Sequence, residues 1–312
     1  MTDQDPSQDR VLSRVAERAE QLSTSGGEPA FSPQDQEPPG LTGPMSPVPD
    51  HGERSYVGHA RLEGMAALIT GGDSGIGRAV AIAYAREGAD VAIAYLPEEQ
   101  EDAEETRRWI EDAGRRALLL PGDLRDEEHA RSLVRRTVEE LGRLDVLVNN
   151  AAFQWGRAEP KGLEGITSER LRRTLTTNLE VLFWLTQEAA PHLRPGASVI
   201  NSSSIQSYDP SVPLMDYAAT KAAINNLTVN LAADLGPRGI RVNAVAPGPI
   251  WTPLNVATRV PDDYVAFGAN TPLGRAGQPA ECAGAYVFLA SPEEASYVSG
   301  TVLGVTGGRP VF

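Results

Sequence analysis

The 312-residue sequence predicts an α/β fold, with one doubly wound parallel sheet flanked by helices and an extended N-terminal tail. Short apolar runs alternate with amphipathic helical patterns along most of the chain, which is typical of parallel sheets with right-handed crossovers. The apolar runs lack the in–out alternation of a half-exposed strand, as expected for strands buried on both faces. Residues 57–312 therefore form one predicted domain, and residues 1–56 an extension.

Strands are predicted where the short apolar runs lie, at residues 66–69, 91–94, 117–120, 146–148, 198–201 and 242–245. Helical spacing of apolar positions predicts helices over residues 78–87, 99–113, 127–141, 168–192 and 217–235. Ligands of such sheets bind beyond the carboxyl ends of the strands. Polar and glycine motifs follow the predicted strands at Gly71, Asp123, Asn150, Ser204 and Pro247. We therefore expect one edge of the sheet to carry the functional site.

A glycine-rich turn separates the first strand from the first helix, at residues 70–77. Gly71 permits a tight turn, while Gly75 and Gly77 let the backbone approach a pyrophosphate at the helix N-terminus. The spacing is G-x-x-x-G-x-G rather than G-x-G-x-x-G, because Val80 occupies the last small-residue position of the latter. The flanking strand and helix favour a dinucleotide-binding turn over a purely structural one.

Tyr217 and Lys221 are the candidate catalytic pair, because residues four apart share one face of a helix. A phenol titrates near pKa ~10, and a nearby ammonium favours the phenolate and lowers that pKa. Such a tyrosine exchanges a proton with a C–OH or C=O group near neutral pH. Ser204 lies 13 residues upstream, directly after a predicted strand, where its hydroxyl can hold a substrate oxygen.

Together these motifs resemble the classical short-chain dehydrogenase/reductase family over residues 61–308, with a Rossmann-like fold. The proline-rich leader is similar to those of its bacterial general-stress-type oxidoreductase branch. The resemblance implies that Tyr217 is the general acid/base and that Lys221 lowers its pKa and binds the nicotinamide ribose. It further implies that Ser204 polarises the substrate carbonyl and that Asn178 links the site to solvent. The hydride chemistry would belong to a nicotinamide cofactor.

The resemblance also implies a set of cofactor contacts at the positions that match the family's motifs. Ala152 and Thr306 depart from the family pattern, which has glycine and often aspartate there; neither departure is expected to abolish activity. The predicted cofactor contacts are Gly71, Asp73, Ser74, Gly75, Ile76, Gly77, Tyr95, Asp123, Leu124, Asn150, Ala151, Tyr217, Lys221, Pro247, Gly248, Ile250 and Thr252.

The charges beside the second strand favour NAD(H), with NADP(H) as the alternative. An acidic residue at that strand end usually holds the ribose 2′-hydroxyl, and a basic one usually accepts a 2′-phosphate. The strand ends with neither. Asp73, Glu98 and Glu99 would repel an extra phosphate, and no arginine or lysine stands ready to pair with it.

The expected reaction interconverts a neutral carbonyl, such as a small aldehyde or ketone, and its alcohol. Residues 252–273 form the variable substrate segment, with Gln154 and Gln206 as polar anchors. An anionic substrate is disfavoured unless loops bring Arg157 or Arg259 inward. The alternatives are a sugar or polyol dehydrogenase of the same family and, less favoured, a non-catalytic cofactor-binding stress protein.

Composition narrows the functional class. The net charge is −14, from 28 basic and 42 acidic residues, which disfavours nucleic acid and anionic membranes as partners. No apolar run approaches the roughly 18 residues of a spanning helix. One cysteine and four scattered histidines predict neither a disulfide framework nor a metal site. With no secretory signal at the N-terminus, a cytoplasmic location is expected.

Residues 1–56 are too polar to form a core of their own. A short helix over residues 11–22 and a proline-stiffened strap over 44–50 are predicted exceptions, and disorder is the alternative. Helices 180–192 and 217–235 carry apolar residues on more than one face, which favours a homotetramer, as the resemblance also implies. In the competing account, the strap covers those faces within one chain.

Overall fold

The computed structural model describes residue 13 and residues 31–157, 160–264 and 266–312. Within these ranges seven parallel strands form one sheet in the order β3-β2-β1-β4-β5-β6-β7, which confirms the predicted Rossmann-like fold. The order reverses beside β1, the usual place for a ligand. The strands are β1 (Ala66–Thr70), β2 (Asp90–Tyr95), β3 (Ala117–Pro121), β4 (Val146–Asn149), β5 (Ser198–Ser202), β6 (Arg241–Pro247) and β7 (Val302–Val305).

Alternate residues of one strand pack into different cores, which explains the continuous apolar runs. Ala67 and Ile69 of β1 belong to one hydrophobic cluster, and Ala66 and Leu68 to another on the opposite face. The flanking helices are α1 (Gly75–Arg86), α2 (Gln100–Asp112), α3 (Glu127–Leu141), α4 (Ser168–Leu175), α5 (Val181–Ala189), α6 (Met215–Leu235), α7 (Pro253–Thr258) and α8 (Pro279–Ala290). Because both faces are covered, the ligand site is restricted to the strand ends.

The long helix predicted over residues 168–192 is interrupted in the structure. A π-helical turn, Thr176–Glu180, separates α4 from α5, and the last residues form a 3₁₀ turn, Ala190–His192. Turns of this kind are frequent at functional sites. The resemblance implies a helix bend at Asn178, and the π-helical turn includes that residue. The helical period alone did not indicate the interruption, because a single wider turn hardly changes it.

Residues 31–56 lie across the domain without forming a helix or strand. Their side chains Phe31 and Met45 are buried. None of the described leader hydrogen bonds reaches α5 or α6, where Phe183 and Val229 stay 42% and 54% exposed. The described strap therefore does not cover the second apolar faces. Apart from residue 13, the helix predicted over residues 11–22 lies outside the described residues.

Candidate active site

The carboxyl ends of the strands border a cavity of about 650 Å³. It extends from the glycine-rich turn after β1 to the segment that follows β6. Every predicted catalytic or cofactor-contacting residue lines this cavity except Gly77 and Asn178. The structure thus brings together motifs that are spread along most of the chain.

The glycine-rich turn follows a backbone path that side chains would block. Gly71 and Gly75 have φ angles of +63° and +50°, in the left-handed region that favours glycine. A Cβ added at Gly77 would lie 1.8 Å from the carbonyl oxygen of Gly71. Gly77 therefore lets α1 begin directly against the turn, although it does not itself line the cavity.

The N-terminus of α1 suits an anion. Its N-cap residue, Ser74, makes no side-chain cap hydrogen bond, and the first turn holds no acidic residue. The first N–H groups of a helix lack helical partners, and the helix dipole favours negative charge there. The pyrophosphate of a dinucleotide fits this position, since the turn offers backbone donors without a capping carboxylate of its own.

Asn150 fixes the glycine-rich turn from the neighbouring strand. Its amide donates to the carbonyl oxygens of Thr70 at 3.0 Å and Gly71 at 3.1 Å. Its side-chain oxygen accepts from the Ser202 hydroxyl at 3.2 Å, and the Thr70 hydroxyl accepts from the N–H groups of Asn150 and Ala151. These bonds connect β1, β4 and β5, so the asparagine shapes the floor of the site.

Tyr217 and Lys221 lie near the start of α6, and Ser204 follows β5. The Ser204 hydroxyl stabilises the Tyr217 phenolate and accepts from the N–H of Gln206 at 3.1 Å. Lys221 Nζ donates to the carbonyl oxygen of Ser202 at 2.6 Å and lies 5.3 Å from the centroid of the Tyr217 ring. All three functional side chains are buried, so a substrate oxygen beside Ser204 and Tyr217 would be screened from water.

The structure does not show the expected lowering of the tyrosine pKa. Burial raises the pKa of Tyr217, and the Ser204 hydroxyl and the charge of Arg259 offset this only in part. Burial also lowers the pKa of Lys221 to about 7, which weakens its positive charge near neutrality. The helical spacing did place the two groups on one face, but desolvation of both outweighs their attraction.

Asn178 lies in the π-helical turn and does not line the cavity. Its side-chain oxygen accepts from the N–H of Phe153 at 2.7 Å, and its amide donates to the Phe153 carbonyl at 2.9 Å. The amide also reaches the Thr220 hydroxyl at 3.1 Å. The side chain thus ties α6 and the segment after β4 together, and its polar groups are engaged there.

Acidic groups gather at the opposite end of the cavity, beside the end of β2. The Oδ2 atom of Asp73 is buried and has no hydrogen-bond partner among the described residues. Burial, and then the charge of Asp73, raise the pKa of Glu99 to about 8, while its bond from the Leu96 N–H opposes the rise. Asp102 adds negative charge, although Arg78 pairs with it at 2.9 Å. An unpaired buried acceptor at this position suits a ribose hydroxyl.

Burial also raises the pKa of Asp73, and a hydrogen bond from Ser74 is the main effect that opposes this rise. Asp123, a predicted cofactor contact, lines the cavity but is held by Arg125 in a two-point ion pair, with distances of 2.5–3.0 Å. The Tyr95 hydroxyl donates to Gln100 at 2.7 Å. The adenosine end of the cavity is therefore acidic, and Arg78 and Arg125 there are already paired with Asp102 and Asp123.

Sequence reasoning missed several cavity residues. Pro38 and Pro39 of the leader line the cavity, and no local pattern could have indicated this. Arg173 also lines it, with its guanidinium 4.1 Å from the centroid of the Phe153 ring. Arg309 lines it from the C-terminal region. Among these, only Arg173 had a signal in the sequence, because it lies in the predicted helix that also carries Asn178.

The two arginines proposed for an anionic substrate behave differently. Arg157 pairs with Asp35 of the leader and donates to the Val256 carbonyl at 2.7 Å, so it lies outside the cavity lining. Arg259 lines the cavity, and its charge reaches Tyr217. Its side chain also bonds to Asn255 at 3.3 Å. One positive charge therefore does come close to the reacting groups.

Within the described ranges, no three His, Cys, Asp or Glu side chains are grouped to hold a metal ion. The same residues include no helix long and apolar enough to cross a membrane. Cys282 is buried in α8, and burial raises its pKa far above the usual thiol value.

A parallel sheet with a dinucleotide-type glycine turn, and with a serine, tyrosine and lysine buried at the same edge, defines a Rossmann-fold oxidoreductase. The chain belongs to the short-chain dehydrogenase/reductase family. A family model described as "Enoyl-(Acyl carrier protein) reductase" matches residues 71–309.

Relatives of known sequence extend the similarity into the leader. The chain is 54% identical to the uncharacterized oxidoreductase YghA of Escherichia coli over 89% of this chain and 94% of that protein. It is 51% identical to general stress protein 39 of Bacillus subtilis over 87% of this chain and 93% of that protein. It is 43% identical to the chloroplastic NADPH-dependent aldehyde reductase 1 of Arabidopsis thaliana over 88% and 96%. The predicted general-stress-type branch is confirmed.

A solved structure agrees in fold. A short-chain dehydrogenase from Burkholderia cenocepacia in complex with NADP has a TM-score of 0.73 and 38% identity, covering 80% of this chain and 98% of that one. Both this structure and the plant reductase carry the phosphorylated cofactor in their names. The expected preference for NAD(H) is therefore not supported by these comparisons.

Proposed function

We propose that the protein is a nicotinamide-dependent oxidoreductase that interconverts a small aldehyde or ketone and its alcohol. The observation that carries this proposal is the buried group of Ser204, Tyr217 and Lys221 on the wall of a cavity that begins at a dinucleotide-type turn. The name of the plant aldehyde reductase supports the same class of reaction.

A bound nicotinamide would supply or accept the hydride at the carbonyl carbon. Ser204 and Tyr217 would hold the substrate oxygen between two hydroxyl groups. During reduction, the Tyr217 phenol donates its proton to that oxygen as negative charge develops there. During oxidation, the same group takes the proton from the alcohol.

Lys221 would bind the nicotinamide ribose with donors that its bond to the Ser202 carbonyl leaves unused, because an ammonium has three. Asn178 would support proton exchange indirectly. Its side chain is engaged with Phe153 and Thr220, so a relay through this residue would use its backbone carbonyl in the π-helical turn.

We propose that Glu99 and Asp73 govern the choice between the two cofactors. The unpartnered Asp73 Oδ2 would accept a bond from the ribose 2′-hydroxyl, which favours NAD(H). The raised pKa of Glu99 means that this carboxyl is mostly protonated at neutral pH. NADP(H) would then bind near neutral pH, and the preference for NAD(H) would increase as Glu99 ionises. The nearby Arg78 would not reverse this trend, because Asp102 already neutralises its charge.

A sugar or polyol dehydrogenase is the second candidate. Polar side chains near the reacting groups favour it, because Gln154, Gln206 and Asn270 line the cavity. Gln154 already donates to Thr258 at 3.0 Å and Gln206 already accepts from the Ser211 N–H at 2.8 Å. Their remaining polar atoms would have to recognise the additional hydroxyl groups of such a substrate.

A substrate panel separates the candidates. Purified protein is supplied with NADH and NADPH against aldehydes and ketones, and with NAD⁺ and NADP⁺ against polyols and sugars. Turnover of simple aldehydes by the wild type and its loss in Tyr217→Phe support the carbonyl reductase. Selective oxidation of polyols supports the second candidate. Tight cofactor binding without turnover on either panel would instead favour a non-catalytic stress protein.

We also propose a homotetramer that works in the cytoplasm with no nucleic acid or membrane partner. The exposed apolar side chains Leu171, Phe183, Met215 and Val229 lie on α4, α5 and α6. A helix that packs on a sheet needs one apolar face, so a second face calls for another subunit. The acidic net charge of −14 and the single, buried cysteine are consistent with this location.

A further inference from the structure

The leader, defined here as residues 31–47, forms part of the active-site wall. Pro38 and Pro39 line the same cavity as Thr252 and Pro253 of the substrate segment, residues 252–273. We propose that the leader is a built-in positioning element, which holds the substrate segment against the cavity and so sets the affinity for substrate and cofactor. This inference deepens the proposed oxidoreductase function and rests on it for its substrate part.

An apolar cluster joins the leader to the substrate segment. The Phe31 ring stacks on the Trp251 indole with 4.0 Å between ring centroids. Both side chains are buried, at 1% and 0% exposure, together with Met45 of the leader and with Tyr264 and Phe267. The two main cores of the sheet do not include this cluster. The leader therefore completes a small core that the segment cannot form alone.

Contacts of the leader backbone hold it against Trp251 and against α7. The Trp251 indole N–H donates to the Pro47 carbonyl at 2.8 Å. A Cβ added at Gly40 would lie 2.9 Å from the Ala257 Cβ and 3.0 Å from the Pro253 carbonyl oxygen. The leader backbone thus touches the helix that borders the cavity, and at this point only glycine fits.

Arg157 provides a polar bridge between the same two elements. Its guanidinium pairs with Asp35 and lies 3.3 Å from the Gln36 carbonyl oxygen on the leader. It also donates to the Val256 carbonyl of α7 at 2.7 Å. One side chain from the segment after β4 therefore holds the leader and α7 together.

The leader also reaches the cofactor end of the cavity. The Thr42 N–H donates to the Asp102 carboxylate of α2 at 2.9 Å. Asp102 pairs with Arg78, whose guanidinium donates to the Asp73 carbonyl in the glycine-rich turn at 2.7 Å. The leader consequently spans from the substrate segment to the turn that would hold the pyrophosphate.

Both ends of this span affect binding rather than the proton transfer itself. A segment that is already held needs little further ordering when a ligand enters, so the entropy cost of binding is reduced. Loosening the leader should therefore weaken substrate and cofactor binding while the reacting groups, Ser204, Tyr217 and Lys221, keep their own contacts. The leader is a positioning element and contributes no catalytic residue.

The first test uses full-length Phe31→Ala, with Phe31→Leu as the conservative variant. Val48→Ala is the control, because Val48 directly follows the leader and is 57% exposed. We expect Phe31→Ala to raise the KM for butanal and the Kd for NADPH about tenfold, with kcat within about twofold of wild type, since ordering costs of loop residues have this size. Phe31→Leu should recover most of the loss, and Val48→Ala should match wild type.

Tryptic cleavage after Arg259 provides a readout that needs no turnover. Arg259 follows α7 directly, so its cleavage, followed by mass spectrometry, reports how firmly the substrate segment is held. Phe31→Ala should accelerate this cleavage at least several-fold at a temperature where circular dichroism shows the domain folded. NADH or NADPH should slow the cleavage more in wild type than in the variant.

Glycine variants provide a second, independent test. Gly40→Ala places a methyl group against α7, whereas Gly43→Ala meets no atom within 4 Å. Gly40 has a φ of +84°, so Gly64→Ala, at +71° and with no neighbour within 4 Å, controls for backbone strain alone. Only Gly40→Ala should raise KM and accelerate cleavage after Arg259.

The outcomes separate the leader's role from the enzyme's activity. If wild type reduces no carbonyl, the proposed function fails, but cleavage rates and cofactor Kd values still test the leader. Wild-type cleavage and wild-type Kd in both Phe31→Ala and Gly40→Ala would overturn the inference. A fall in kcat with unchanged KM, Kd and cleavage would also overturn it, because positioning of the segment predicts the reverse.

Discussion

Lys221 Nζ lies 5.3 Å from the centroid of the Tyr217 ring and donates to the Ser202 carbonyl at 2.6 Å. Among the described residues, no acidic side chain forms an ion pair with this ammonium. The charge is therefore buried beside the tyrosine without a carboxylate to neutralise it, which explains the lowering of its pKa to about 7. The arrangement places an amine that is only partly protonated near neutral pH next to the reacting phenol, and burying its charge lowers stability.

The first prediction concerns proton transfer. Tyr217→Phe should lower kcat for aldehyde reduction by roughly 10²–10⁴, the usual contribution of general acid catalysis. The Kd of NADPH should stay near wild type, because the glycine-rich turn is untouched. Steady-state kinetics and fluorescence titration measure the two quantities. Tyr297→Phe, at a fully exposed tyrosine, is the control. More than about a tenth of wild-type kcat in Tyr217→Phe would contradict the role of general acid.

The second prediction concerns stability and pH. The pKa of Lys221 is about 7 in the folded chain, against 10.5 for the free side chain. Between these values the unfolded chain binds a proton that the folded chain lacks, so this group makes stability rise with pH. Lys221→Met removes that slope. The free energy of unfolding of Lys221→Met, relative to that of wild type, should therefore be highest at or below about pH 7 and should fall towards pH 10.

Chemical denaturation of Lys221→Met and wild type across this pH range measures the slope. Lys161→Met is the matched control, since Lys161 is exposed and the chain has no third lysine. Parallel stability curves for wild type and Lys221→Met would show that Lys221 is protonated as readily as an exposed lysine.

The sheet and its functional edge could be predicted because their signals are local. Strands buried on both faces leave continuous apolar runs, and the glycine positions 71, 75 and 77 follow from a turn that excludes side chains. β7 was missed because it is short, only partly buried and interrupted by Gly304. The spacing of Tyr217 and Lys221 placed both on one helix face, as the structure has them.

Other features depend on contacts between distant residues. Phe31 lies in a polar leader, and its stacking partner Trp251 is 220 positions further along the chain. The direction of the Tyr217 pKa depends on burial, which the motif alone does not report. For the same reason, the sequence showed Glu99 as a fixed negative charge, whereas its burial beside Asp73 favours the protonated carboxyl.

The third prediction concerns cofactor choice. In wild type, the ratio of the Kd for NADPH to that for NADH should rise as the pH increases through about 8, because Glu99 ionises and repels the 2′-phosphate. Glu99→Gln should lower this ratio at alkaline pH and make it nearly independent of pH. Fluorescence titrations between about pH 6.5 and 9 measure it, since this range brackets the raised pKa.

Glu98→Gln is the control for Glu99→Gln, because the two residues are adjacent and Glu98 is exposed and does not line the cavity. It should keep the ratio dependent on pH, with the rise displaced to somewhat lower pH, because the charge of Glu98 is the smallest of the effects that raise the Glu99 pKa. A pH-dependent ratio that persists in Glu99→Gln would assign the effect to Asp73, whose pKa is also raised by burial. A ratio that is flat in wild type would refute control by either carboxyl.

The fourth prediction concerns assembly. Phe183 on α5 and Val229 on α6 are 42% and 54% exposed in a single chain, and the described leader does not cover them. If these faces meet in a homotetramer, Phe183→Glu with Val229→Glu should break it into smaller species, because buried like charges oppose association. Light scattering gives the mass. Val57→Glu, at a 62% exposed site where the predicted domain begins, should leave the tetramer intact. A double variant with the wild-type mass would locate the interface elsewhere, and a monomeric wild type would refute the assembly.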